Sequence, residues 1–188
     1  MNAITFYNKF KEATGNVDIA IYGANKLYTN YVLDKVKGII KEEYYNYSSE
    51  YYRVDVTGWT QRKEEIRASA ENVKMFPYLW DLEIAVEHEN SHKDWFDELV
   101  KLAHLRCPLK VVISYNSCDF RDDEKYGDLA ILKVAAETLN KVKAFKNADN
   151  EEFLVILGNS SKAVSNSPDY ETPDYRGYVY NGEEFKKI

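Results

Sequence analysis

The chain has little of what marks the specialised classes of protein. Only two of its 188 residues are cysteine, and Cys107 and Cys118 form neither a Cys-x-x-Cys pair nor a disulfide framework. A reducing cytoplasm is therefore the expected location. Cys107 stands before Pro108 at an expected strand entry and reads as a buried small hydrophobe. No apolar run approaches about 20 residues, so no membrane span is expected. Met1 to Thr5 has no basic flank and no apolar core, and does not read as a secretion signal. Positive charge is short as well: 25 Lys and Arg face 31 Asp and Glu, a net charge of −6. A general nucleic-acid coat protein should be basic, so that class is excluded. An enzyme that gathers carboxylates around a metal, and holds phosphates on a local basic strip, is not. There is no internal repeat and no low-complexity linker.

What is present fits one domain over 1–188, with chain enough for a sizeable core. Apolar residues make up 45% and charged residues 30%, as in ordinary globular proteins. The 16 tyrosines are unusual. They read as amphipathic core filler, with stacking on a ligand or nucleic acid as the other reading.

Hydrophobic periodicity predicts a helix over 3–13, capped by Asn2, with Phe6 and Phe10 on one side. Residues 17–22 read as extended or loop. A longer helix is expected over 25–45, its stripe formed by Tyr28, Val32, Val36, Ile39 and Ile40 and continued by Glu43. Residues 51–59 alternate as a strand, with Tyr52, Val54 and Val56 on one face and Arg53, Asp55 and Thr57 on the other. Aspartate is a poor strand former, so Asp55 asks for an explanation. A charged excursion over 61–76 leads to a strand over 79–89. Ser91 with Asp94 resembles a capping box for a helix over 93–106. Buried strands are expected at 109–115 and 153–157, with a helix over 128–145 between them, turned inward by Ile131, Ala135, Leu139 and Val142. Asn181-Gly182 between Tyr178–Tyr180 and Phe185 signals a C-terminal hairpin. Strands alternating with amphipathic helices imply an α/β (α+β) fold, a central mixed sheet flanked by helices.

The run from Trp80 to Asn90 carries the most chemistry. With a period of two, Asp81, Glu83, Ala85, Glu87 and Glu89 share one face, and Leu82, Ile84, Val86 and His88 the other. Four like charges on one side of a strand repel one another, and a hard divalent cation gives a reason for them. The same letters spell His88-Glu89-Asn90-Ser91-His92, a zinc-peptidase pattern that needs both histidines on one helical face. Strand alternation before it, and Asn90-Ser91 within it, oppose a helix there.

Asp55 on one strand, Glu87-x-Glu89 on the next, a helix and a buried strand together resemble the PD-(D/E)xK nuclease superfamily. The resemblance spans about 28–115. It implies a restriction-endonuclease-like core of a helix, a three-stranded antiparallel section, a helix and a further strand, placed at about 28–160, with the hairpin at 175–188 appended. It implies a Mg2+- or Mn2+-dependent endonuclease acting on DNA. Asp55 matches the first acid and Glu87 the second, Glu89 occupies the lysine position, and Glu43 matches the helix glutamate. Asp55, Glu87 and Glu43 would hold the metal, and Glu89 would orient or deprotonate the attacking water. Asp81 and Glu83 offer an alternative acidic register. Lys101, Arg62, Lys63, Lys35 and Lys41 are candidates for phosphate contacts. The sequence departs from the pattern in having Val54 where proline precedes the first acid, Glu89 in place of lysine, and a long spacing from Asp55 to Glu87. A catalytically degenerate relative that binds a protein or nucleic acid is the alternative, and the zinc peptidase the third reading. A homodimer would suit cleavage of both strands.

Overall fold

The structure is a computed structural model that describes residues 1–43, 46–91, 93–116, 122–143, 145, 151–160 and 173–188. It opens with helix α1, Ala3–Thr14, where the Asn2 side chain accepts from Thr5 N at 2.8 Å. Such a cap is worth about 1 kcal/mol. Phe6 and Phe10 are fully buried on its inner side. Residues 19–22, expected as extended or loop, instead form a short helix α2, Ile19–Tyr22, because the Asp18 carboxylate accepts from Ala20 N and starts the turn. Helix α3, Asn25–Glu42, buries the expected stripe of Tyr28, Val32, Val36, Ile39 and Ile40 and stops three residues early.

It stops to leave room for a strand that was not expected. Strand β1, Asn46–Tyr51, pairs antiparallel with β2, Val54–Gln61, across a turn at Tyr52–Arg53. The alternation over 51–59 therefore spans a turn as well as a strand. Tyr52 is not on a strand face, and Val54 and Val56 pack into different cores. The excursion holds a 3-10 turn, Lys63–Ile66, and helix α4, Arg67–Asn72. Strand β3, Trp80–His88, agrees with expectation to one residue at each end. Helix α5, Trp95–Ala103, begins at Asp94 rather than through a Ser91 box. Glu89 Oε1 accepts from Ser91 N at 2.7 Å and turns the chain there instead. Strand β4, Leu109–Asn116, helix α6, Asp128–Lys141, and strand β5, Glu152–Asn159, follow. Strands β6, Arg176–Tyr180, and β7, Phe185–Lys187, form the C-terminal hairpin, with Gly182 at φ 100° in its loop.

The seven strands stand in the sheet in chain order. The pairs β3–β4 and β4–β5 are parallel and the rest antiparallel. The fold is thus α/β with one mixed sheet flanked by helices. Alternation along the parallel strands divides two cores. Ile84, Val86, Val111, Ile113, Leu154 and Ile156 face α1, α2 and α3. Ala85, Val112, Phe153, Val155 and Leu157 face α5 and α6, where Trp95, Leu99, Leu102 and Leu139 are buried. Each such apolar side chain contributes about 1.5–3 kcal/mol on burial. Cys107 is buried as expected, and burial pushes its thiol up to about 12. Cys118 lies outside the described residues. Lys110 is fully buried in β4, its ammonium paired with Glu151. Among the described residues no helix is long and apolar enough to cross a membrane.

On the α1–α3 side the tyrosines serve as core. Tyr115 and Tyr175 share a hydrogen bond of 3.0 Å, Tyr28 bonds to Tyr175, and Tyr7 donates to the Tyr175 carbonyl at 2.9 Å. Tyr115 lies opposite Gly158, and a Cβ there would come within 2.9 Å of the Tyr115 and Tyr175 rings. Only a bare backbone lets the rings lie this close. Gly158→Ala should cost about 1–3 kcal/mol through this overpacking. Urea unfolding of the variant checks it, and an unchanged midpoint contradicts it.

Candidate functional site

The ladder between β2 and β3 pairs Val56 with Val86, so one further residue sets Asp55 opposite Glu87. Two like charges directly across an antiparallel pair oppose pairing. The carboxylates take over the ladder instead. Asp55 Oδ2 accepts from His88 N at 2.8 Å, and Glu87 Oε2 accepts from Asp55 N at 3.3 Å. Both acids face the α5 side, at the carboxyl end of β3. Helix α5 starts just beyond that end and runs back along the sheet, which brings Glu98 and Lys101 over the pair. Lys101 Nζ lies 2.5 Å from Glu87 Oε1, pairs with Glu98, and donates to the Arg53 carbonyl at 2.8 Å.

Two carboxylates, Glu87 and Glu98, thus share one ammonium, with Asp55 across the ladder from them, in a place where Glu87 is 2% exposed. Desolvation pushes the Glu87 carboxyl up to about 8; Asp55 and Glu98 add to the rise and Lys101 opposes it. Desolvation also raises Asp55, against the hydrogen bond from His88 N. The Lys101 ammonium is itself raised, because its bonds to Glu87 and Glu98 outweigh its own desolvation. A carboxyl poised near neutrality can both take and give a proton, which an ordinary glutamate cannot do.

The other expected site residues lie elsewhere. Glu43 caps α3 and pairs with Lys9 of α1 at 2.5 Å, so the apolar stripe it continues leads to an ion pair and not to the acidic pair. Glu89 spends an oxygen on Ser91 N, since the strand has ended and its backbone must turn. Asp81 takes a two-pronged bond from Arg62, at 2.6 and 3.3 Å, and Glu83 accepts from Thr60 Oγ1 at 2.7 Å. Both belong to the opposite end of β3. Arg62 is spent there on Asp81 and Glu65. Lys63 is exposed beside the groove formed by Phe76, Tyr78 and Trp80. The Lys35 ammonium sits over the Tyr31 ring at 5.2 Å, and Lys41 is exposed near the end of α3. Lys101, expected as a phosphate contact, is the cation of the acidic cluster itself. His88 ends a strand, so it cannot pair along a helix with a residue four positions on, and His92 lies outside the described residues. Its ring turns to the other core, where Nε2 meets Tyr115 OH at 2.7 Å and burial pushes it down to about 3, a neutral imidazole.

Among the described residues no three His, Cys, Asp or Glu side chains stand together as a metal group. Mg2+ needs fewer, being held by one or two carboxylates with water and substrate phosphate completing its shell. Asp55 and Glu87 suit that sparser mode, and among the described residues no hydrogen bond or ion pair engages Asp55 Oδ1.

Glu98 was missed, although its spacing of three from Lys101 on an amphipathic helix was the available signal. A second buried polar group was missed entirely. Arg176 Nε donates to Asp128 Oδ2 at 2.6 Å, Tyr178 OH donates to the same oxygen at 2.8 Å, and Asn116 Nδ2 donates to Asp128 Oδ1 at 3.0 Å. It borders a cavity of about 610 Å³ lined by the first residues of α6, by α1 and by the C-terminal hairpin. The polar groups there are largely spent on one another.

Known proteins supply no further guide: no family model, no curated protein and no solved structure matches the chain.

The Glu87 shift has a consequence for stability. The folded protein keeps the proton to about 8, while the unfolded chain loses it near 4.5. The folded state therefore binds more protons between those values, so the contribution of Glu87 is fully present below 4.5 and is lost as pH rises to about 8. Urea unfolding of the wild type and Glu87→Gln across that window should show the wild type losing stability relative to the variant. A constant difference contradicts the shift.

Proposed function

We propose that the chain is a metal-dependent endonuclease that hydrolyses DNA phosphodiester bonds, with Asp55, Glu87 and Lys101 as its reacting groups. The observation that carries this reading is the meeting of Asp55 and Glu87 across adjacent strands with a lysine seated on them. The order of elements lends support. Helix α3, the antiparallel strands β1, β2 and β3, helix α5 and parallel β4 follow the order of a restriction-endonuclease-like core. The lysine that the motif sets two residues after the second acid, replaced here by Glu89, has a counterpart in Lys101 from α5.

In this reading Asp55 and Glu87 would hold the ion. A bound divalent ion supplies a water of lowered pKa and neutralises charge at the phosphate. Glu87, held near 8, would have to give up its proton to hold the ion. Lys101 keeps the carboxylates together before the substrate arrives and offers its ammonium to charge that develops on a phosphate oxygen. A cytoplasmic location and a homodimer that cuts both strands go with this reading.

One observation favours a second reading. The acidic cluster already has a cation in Lys101, as a relative that had given up catalysis would need. Such a protein would bind its partner with the carboxylates replaced.

Supercoiled plasmid incubated with Mg2+ or Mn2+ separates the two. Wild-type protein should nick it, and Glu87→Ala, Asp55→Ala and Lys101→Met should each be slower by about a hundredfold or more. Equal rates in all four proteins remove the nuclease reading. Calorimetry adds a readout independent of cleavage. Mg2+ binding near neutral pH should release a proton, so its heat should change with the ionisation enthalpy of the buffer. Glu87→Gln should abolish that dependence. An absence of Mg2+ and Mn2+ binding at millimolar concentration favours the non-catalytic reading.

A further inference from the structure

The turn between β1 and β2 departs from what folding alone would select. A two-residue hairpin turn of this kind needs left-handed backbone at both central positions, which is why asparagine and glycine usually fill them. Here Tyr52 and Arg53 do, at φ 52° and 63°, with Glu50 at 56° just before. Such backbone persists where its surroundings impose it, and it concentrates at ligand-contacting segments. Packing does not repay the choice of side chains. Tyr52 is 70% exposed. Arg53 is exposed too, and among the described residues no carboxylate, ring or carbonyl engages its guanidinium. Among the described residues the Tyr52 side chain meets its neighbour Tyr51, ring centroids 4.4 Å apart and hydroxyls hydrogen-bonded. The Arg53 carbonyl, in contrast, is held by Lys101 Nζ, the atom that also pairs with Glu87. One ammonium ties the turn to the acidic site.

We infer that the Tyr52–Arg53 turn is the element by which the acidic site grips a nucleic-acid duplex, Arg53 meeting a backbone phosphate and Tyr52 the sugar and base edges beside it. This rests on the nuclease reading. A guanidinium fork matches phosphate oxygens, and an aromatic ring next to a free cation suits a nucleotide. A hairpin tip is convex, so it enters a groove and does not enclose a small molecule. The chain carries −6 overall, so a free arginine beside three carboxylates is set where a polyanion must be drawn toward an acidic site. Lys101 connects the two events. A phosphate drawn to the turn and the carboxylates beneath it compete for the same ammonium, so substrate seated on Arg53 loosens the hold of Lys101 on Glu87.

The test replaces the turn by the residues its backbone favours. In a variant carrying Tyr52→Asn and Arg53→Gly the strain is relieved and the contacts are lost. Its melting temperature should rise. Its affinity for a fluorescein-labelled DNA duplex about three helical turns long, measured by anisotropy without divalent metal, should fall tenfold or more. Arg53→Ala alone should lower the slope of log affinity against log salt by about one. A double variant that binds the duplex as tightly as the wild type overturns the inference. The nuclease reading survives that result if Glu87→Ala still abolishes plasmid cleavage. Wild-type protein that neither binds the duplex nor cleaves plasmid overturns both.

Discussion

Two crossovers made in the same direction across a parallel sheet put both their helices on one face and leave the other bare. That constraint shapes the molecule. Helices α5 and α6 connect β3 to β4 and β4 to β5 and cover one side, so the bare side must be closed by something else, and α1, α2 and α3 close it. Strands buried on both faces have no polar side to spare, which is why β4 is buried from end to end. Charge is accommodated only at the strand ends and in matched pairs, as with Lys110 and Glu151. The Asp55–Glu87 pair sits at such an end.

Within this frame Lys101 decides what the acidic pair is. Taken alone, two facing carboxylates with little access to water should separate or protonate. The ammonium from α5 offsets part of that repulsion, and burial above all, with the repulsion that remains, keeps the Glu87 carboxyl raised. A buried ion cluster of this sort is poor evidence for stability, since apolar residues of the same volume often fold as well.

Much of the fold was legible because its core strands and longer helices are periodic over many residues. The stripe from Tyr28 to Ile40 and the alternation from Ile84 to His88 sort themselves onto the right faces, whereas Leu82, expected with Ile84 and Val86, lies beyond a register shift at Gly58–Trp59 and packs with the α5–α6 core instead. What was not legible depended on short-range chemistry without a strong signal. The β1–β2 turn has neither glycine nor asparagine to announce it, so hairpin and single strand looked alike. Asp18 capped a turn too short for any period to reveal. In the site, Asp55 and Glu87 came together because antiparallel register makes neighbours of matched positions. Glu43 followed its helical stripe faithfully, but the stripe ended beside Lys9, a residue that no local pattern places there. The Asp128–Arg176 pair joins positions 48 apart in the chain, beyond the reach of any motif.

The strand order has a consequence for how the chain assembles. Each strand lies beside the one made just before it, so the sheet can grow as the polypeptide lengthens, every new strand finding its neighbour already in place. Helix α1 is the exception. Its first amide, Ala3 N, donates to Glu152 Oε2 at 2.6 Å, and Tyr7 donates to the Tyr175 carbonyl. Helix α1, made before every strand of the sheet, therefore waits for the residues beside β5 and β6, and a nascent sheet carries one incompletely covered face until β6 is out. The long-range closure of that face, and not the sheet, is the step at which an incomplete chain is most exposed to aggregation.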